Sequence, residues 1–277
     1  MKRSIVFFYK IFLSIFLMNV SIAKKNLELS QASMLLNLND NKVLYADNIN
    51  KRIKPASLVK LMTLYIVFEA LENKKISIRK KFFVSSNLNQ VPRSKIYLKH
   101  GDRIILKDII YSLIVCSAND SALVFAENFA GSEASFVKIM NAKAKALKMY
   151  DTNFCNASGL NHDKQFSTVN DLVKLSLAIR KFKKYYRIFK EVKFKFKGKT
   201  YSTTNRFLKS YFGVEGLKTG FTKASGFNLV IIAKRKGVTL LGIVIGQDSD
   251  ESRTQKMKFL LDLGFSNLKL KLKKDIY

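Results

Sequence analysis

Strand-like patterns stand at both ends of this 277-residue chain, and helix-like patterns fill its middle. Near the N-terminus, "ASMLLNLNDNKVLYADN" places two apolar runs around Asn39-Asp40-Asn41, whose side chains tolerate turn conformations, and this predicts a hairpin. In the last third, "VKFKFKGKTYST" alternates apolar and basic residues about Gly198, a second hairpin pattern. "GVEGLKTGFT", "GFNLVIIAKRKG" and "VTLLGIVIGQ" predict three further strands. Between these ends, a helix is expected from Pro55 to about Leu71, with Leu58, Leu61, Met62, Tyr65 and Phe68 at helical spacing. Three more are expected over 106–115, 120–129 and 132–147, and a fourth begins at Thr168 and runs to about Arg180. "SDESRTQKMKFLLDLGF" predicts a closing helix, with Ser249 as N-cap and Gly264 as its stop. "SSNLNQVPRSKIYLKHGDR" and the stretch 156–163 read as polar loops. One sheet drawn from both termini, with a helical middle packed on it or forming a subdomain, is an α+β (mixed α/β) fold.

The composition, 48% hydrophobic and 25% charged, suits a globular domain with a sizeable core, and no internal repeat is found. Lys2 and Arg3, the apolar run from Ile11 to Val20, and Ser21-Ile22-Ala23 form the pattern of a secretory leader cleaved after Ala23. An uncleaved N-terminal anchor is the alternative; either way the body is exported. The net charge is +30, and +27 once Lys2, Arg3 and Lys10 leave with the leader. Such a surface attracts anionic partners such as wall polymers or membrane headgroups, although drift in a Lys-, Asn- and Ile-rich chain also accounts for it. Export removes nucleic acid from reach. Cys116 and Cys155 permit one bridge in an oxidising compartment, but nothing in the sequence brings them together. No HExxH, CxxC or Cys/His cluster points to a metal.

Three short motifs fall on three different elements. Ser57-Leu58-Val59-Lys60 opens a helix, Ser117-Ala118-Asn119 connects two helices, and Lys218-Thr219-Gly220 lies on a strand. Ser57 and Lys60, three apart, share a helix face. A serine hydroxyl is a weak nucleophile until a base takes its proton. His100 and His162 both sit in loop-like segments, so a Ser-His-Asp triad is unsupported. Lys60 is the other base, provided that burial, nearby cations and the helix dipole lower its pKa. A serine at a helix start also aims backbone N–H groups at a reacting carbonyl oxygen. Gly220 lets the strand backbone pass close to a substrate, and Lys218 and Thr219 suit a carboxylate. Taken singly, each motif also reads as a helix cap or a strand end. Their joint occurrence, in this order and on these elements, favours chemistry.

The trio resembles the signature of penicillin-binding proteins and class A β-lactamases. The likeness extends through "PASLVKLMTLYIVFEAL", "LKHGDRIILKDIIYSLIVCSANDSALVFAENFAGSEASF", "TNFCNASGL", "STVNDLVKLS", "TNRFLK" and "SGFNLV". Over roughly Leu29 to Phe265 the chain is similar to the low-molecular-mass penicillin-binding proteins that are D-alanyl-D-alanine carboxypeptidases. The resemblance implies a β-lactamase/transpeptidase-like fold of about five antiparallel strands, flanked by helices and joined to a helical lobe, with the site between them. It implies a leader over 1–23, a catalytic domain over 24–265 and a short basic tail over 266–277. Ser57 is then the acylated nucleophile and Lys60 its proton acceptor; Ser117 helps proton transfer and Asn119 binds the substrate backbone. Lys218 and Thr219 hold the terminal carboxylate, Arg206 adds charge there, and the oxyanion donors are the N–H groups of Ser57 and Phe221. The implied partners are the peptidoglycan stem peptide and β-lactams, with no cofactor, in the periplasm or on the envelope side of the inner membrane.

Two departures accompany the likeness. Many members carry a second β-rich domain and a C-terminal amphipathic anchor, and neither is expected after Phe265. "LKLKLKK" is expected to make at most weak contact with anionic lipid, its alternation reading as a strand with one solvated face. The residue after Lys218-Thr219-Gly220 is Phe221, which keeps the backbone donor and bears on substrate preference. A DD-endopeptidase that cuts cross-links would share every motif. A β-lactamase would need a glutamate in "TNFCNASGLNHD", which has none. A non-catalytic wall-binding protein would have no need of intact Ser57, Lys60, Asn119 and Lys218.

Overall fold

The computed structural model describes residues 31–92 and 94–274. The expected leader and its cleavage point lie outside the described residues. Strands β1 (Ala32–Asn37) and β2 (Lys42–Asp47) form the expected hairpin. A 3-10 turn, Ala56–Val59, runs directly into α1 (Lys60–Glu72). Strands β3 (Lys81–Phe83) and β4 (Arg103–Ile105) pair and bracket the polar segment, which is irregular apart from a 3-10 turn at Ser86–Gln90. Helices α2 (Leu106–Val115), α3 (Asn119–Ala130) and α4 (Glu133–Ala146) follow, within a residue of the expected limits. Ser132 caps α4 by accepting the Ser135 N–H at 3.1 Å. Thr168 caps α5 (Val169–Arg180) by accepting the Asp171 N–H at 3.1 Å. The last third holds α6 (Lys183–Tyr186), β5 (Lys193–Phe196), β6 (Lys199–Ser202), α7 (Phe207–Ser210), β7 (Val214–Thr222), β8 (Gly226–Arg235), β9 (Val238–Gln247) and α8 (Asp250–Lys274).

The main sheet has five strands in the order β2-β1-β9-β8-β7, antiparallel at every step. It is built from both ends of the chain, as the pattern predicts. The β5–β6 hairpin forms a separate two-stranded sheet. The central strands read as unbroken apolar runs because helices cover both faces. Val230, Ile232, Leu241 and Ile243 join Leu58, Leu61, Met62 and Phe68 in the larger core. Leu229, Ile231, Leu240 and Val244 pack on Phe207, Tyr211, Met257, Leu260 and Leu261. Each Leu or Ile side chain so buried contributes about 1.5–3 kcal/mol.

The closing helix departs from expectation at its end. It passes through Gly264 to Lys274, so Gly264 is no stop and "LKLKLKK" up to Lys274 is helix, not strand. The glycine has a packing role instead. A Cβ at Gly264 would lie 2.6 Å from Leu240 Cδ1 and 2.9 Å from Leu35 Cδ2, so its absence lets α8 lie close on the sheet. Both cysteines are free thiols. No helix among the described residues is long and apolar enough to cross a membrane.

Candidate active site

Three pieces of backbone are forced together around Ser57. Ala56, just before it, has φ 48°, a left-handed conformation that is costly for a residue with a Cβ. Gly159 packs against that turn so tightly that a Cβ there would lie 1.9 Å from the Ala56 carbonyl oxygen. On the other side, a Cβ at Gly220 would lie 3.1 Å from the Pro55 oxygen and 3.2 Å from the Ser57 nitrogen. Gly220 therefore lets β7 approach the turn that carries Ser57, a closer reason than the substrate contact expected from sequence.

Lys60 is the first residue of α1 and is fully buried. Its Nζ lies 3.0 Å from Ser57 Oγ, 2.7 Å from Asn119 Oδ1 and 2.6 Å from the Ser158 carbonyl oxygen. As an ammonium it has a proton for each oxygen. As a neutral amine it has two N–H groups and one lone pair. Asn119 Oδ1 and the Ser158 carbonyl can only accept, so they take the two N–H groups and the lone pair is left for the Ser57 hydroxyl. Burial pushes the Lys60 pKa well below 10.5, and the Lys218 ammonium pushes it further; Asp120 and Cys116 oppose.

Asn119 opens α3, and its backbone N–H donates to the Ser94 carbonyl at 2.6 Å. The next residue, Asp120, is buried and accepts from the Ile96 N–H at 3.0 Å, which ties the polar segment to the α2–α3 connection. In that connection Ser117 has φ 58°, and its buried Oγ has no hydrogen-bond partner among the described residues. Cys116 beside it is no competing nucleophile, since burial pushes its thiol pKa up to about 12.

The outermost strand, β7, supplies the opposite wall. Ser57, Ser94, Ser117, Thr204, Arg206, Thr219, Gly220, Phe221 and Phe227 line one cleft of about 360 Å³, joined by Asp250 and Arg253 from the start of α8. Thr219 Oγ1 donates to Thr204 Oγ1 at 2.7 Å. Phe221 is 52% exposed and packs on Phe227 with ring centroids 4.2 Å apart. Lys218 is almost completely buried, and its Nζ donates to the Thr219 carbonyl at 3.1 Å. Burial lowers its pKa to about 7; the Cys116 thiol opposes this and Arg253 adds to it.

Neither histidine reaches Ser57. His162 is exposed, with Nδ1 accepting the Lys164 N–H, and His100 meets Phe83 edge-on. The structure brings Ser57, Lys60 and Asn119 into direct contact and sets Ser117, Thr219, Gly220, Phe221 and Arg206 on the same cleft. Sequence reasoning missed Ser158 and Gly159, because a backbone carbonyl carries no residue signal. It also missed Asp250 and Arg253, which read as ordinary first-turn charges of a helix.

Comparisons with known proteins give the chain's family. Residues 19–249 match a family described as D-alanyl-D-alanine carboxypeptidase. The D-alanyl-D-alanine carboxypeptidase DacF of Bacillus subtilis is 31% identical over 242 residues, 86% of this chain and 62% of that protein, so the chain spans about three-fifths of that relative. The D-alanyl-D-alanine endopeptidase of Escherichia coli is 31% identical over 76% of this chain and 70% of its own length. The crystal structure of penicillin-binding protein D2 from Listeria monocytogenes in an ampicillin-bound form aligns with a TM-score of 0.77 at 32% identity, covering 87% of this chain and 99% of that one. The chain belongs to the D-alanyl-D-alanine carboxypeptidase family.

Proposed function

We propose that this protein is a serine D-alanyl-D-alanine carboxypeptidase that removes the terminal D-alanine from peptidoglycan stem pentapeptides. The observation that carries the reading is the buried Lys60 amine, whose two obligate acceptors leave its lone pair for Ser57. Neutral Lys60 takes the hydroxyl proton as Ser57 Oγ attacks the carbonyl carbon of the penultimate D-alanine. The N–H groups of Ser57 and Phe221 hold the developing oxyanion. Ser117, whose buried Oγ lacks a partner, passes the proton to the leaving nitrogen. The C–N bond breaks and D-alanine departs, leaving an ester on Ser57. Water then attacks the ester, its proton returns to Ser57 Oγ by way of the same amine, and the shortened peptide leaves.

Asn119 orients the peptide backbone, Thr219 and Arg206 receive the terminal carboxylate, and the buried Lys218 supplies charge beside them. Penicillins enter as carboxylate-bearing acyl donors and acylate Ser57. The N-terminal leader directs the protein to the envelope side of the inner membrane, where its basic surface suits anionic wall polymers and lipid headgroups. The match to an endopeptidase supports a second reading, cleavage of cross-links by the same machinery. Incubation with a pentapeptide and, separately, a cross-linked dimer tests both. The first reading expects free D-alanine from the pentapeptide; release of monomers from the dimer alone would replace it with the second.

A further inference from the structure

This inference rests on the carboxypeptidase reading and concerns the end of the cleft that receives the terminal carboxylate. Arg253, the fourth residue of α8, lines that end yet is 4% exposed, and its Nε has no hydrogen-bond partner among the described residues. Its guanidinium lies over the Phe227 ring, 5.9 Å from the centroid, beside the Phe221 wall. With Arg206 and the buried Lys218, it makes the end strongly cationic. One carboxylate of this chain already answers that charge. Asp250 Oδ1 accepts from Arg253 Nη2, and Asp250 Oδ2 pairs with Arg206 Nη1 at 3.4 Å.

A buried guanidinium with an unpaired N–H is costly, and a second carboxylate entering the cleft would relieve it. Asp250 is also easily released. It is the first residue of α8, where unpaired backbone N–H groups and the helix dipole favour a negative charge, and it is partly exposed. Arg206 is 80% exposed and free to follow an incoming anion.

We propose that Asp250 is a built-in competitor for the substrate's terminal carboxylate and that Arg253 is the cation for which the two carboxylates compete. Asp250 thereby sets how strongly the cleft selects ligands with a free C-terminus. A ligand without that carboxylate leaves the Asp250 pair intact and neither gains nor loses from it.

The test is equilibrium binding to the Ser57→Ala protein, which holds ligand without turning it over. The probes are a diacyl-lysyl-D-alanyl-D-alanine peptide and its C-terminal amide. Adding Asp250→Asn is expected to tighten the free acid by about 3- to 10-fold and leave the amide unchanged. Adding Arg253→Met is expected to weaken the acid by about 10-fold or more, with the amide unmoved, and to remove most of the gain from Asp250→Asn, the rest being what Asp250 withholds from Arg206. Should Arg253→Met fail to fold, Arg253→Lys replaces it. An Asp250→Asn change that shifts acid and amide equally, or weakens the acid, would overturn the proposal. Fluorescent penicillin labelling of the unmutated chain separates the two levels. A labelled protein with an unmoved acid-to-amide ratio refutes this inference alone, whereas an unlabelled protein refutes the carboxypeptidase reading and this inference with it.

Discussion

The buried amine of Lys60 meets the backbone carbonyl of Ser158 at 2.6 Å, across 98 residues of chain. That carbonyl is held from three sides. Thr63, one turn along α1 from Lys60, donates its hydroxyl to the Ala157 carbonyl at 2.7 Å. Glu133 accepts the Ala157 N–H at 2.9 Å, and Asn156 Oδ1 accepts the Gly159 N–H at 2.7 Å. The loop therefore aims an acceptor at the Lys60 amine, and in the proposed mechanism its anchors act through that amine.

Glu133→Ala is expected to slow acylation by penicillin about 10-fold by loosening the amine. Its pH profile should also move to lower pH. The Ser158 carbonyl, an acceptor, favours the ammonium, so loosening its contact with the amine lowers the Lys60 pKa further. Glu133→Gln keeps an acceptor oxygen and should restore most of the rate. Stopped-flow acylation across pH reads both effects; a lost rate with an unmoved profile would argue for a purely structural role.

The folded-state pKa of Lys218, about 7, lies below the 10.5 of the unfolded chain, so the unfolded state binds more protons between those values and stability rises with pH there. The cost of burying the charge is full below pH 7 and is relieved as the pH approaches 10.5. Lys218→Met should therefore stabilise the fold by roughly 1–4 kcal/mol at pH 6 and by much less at pH 10, while weakening carboxylate ligands. Denaturant melts at the two pH values check it.

Gly159→Ala places a methyl inside the Ala56 carbonyl at φ +84° and should cost about 3 kcal/mol or more, with loss of penicillin labelling. Gly220→Ala meets its neighbours at 3.1–3.3 Å in a strand conformation. It should fold, yet acylate about 10- to 100-fold more slowly because the Ser57 turn is displaced. Thermal melts beside labelling rates separate the two.

Much of this architecture was legible in the sequence because its signals are local. The apolar runs around Leu241 and Val230, the helix starts at Ser132 and Thr168, and the three spaced motifs each report on a few neighbouring residues. Gly264 misled because a glycine after an apolar helix reads as a stop, whereas its neighbours across the sheet, Leu35 and Leu240, lie over 200 and 20 residues away. The Ser158 carbonyl and the Asp250–Arg253 pair escaped for a related reason. Their roles depend on what faces them in space, and that is set by the packing of α1, β7 and α8 together.

The proposed function requires that Ser57 be activated by a Lys60 that is neutral at working pH. The second-order rate constant for acylation of the wild-type protein by benzylpenicillin, followed from pH 5 to pH 11, tests it most directly. A neutral Lys60 gives an ascending limb completed well below pH 10.5, with the adduct mapped to the peptide containing Ser57 and no adduct in Ser57→Ala. A rate that keeps climbing through pH 10.5, or an adduct that survives Ser57→Ala, would contradict it.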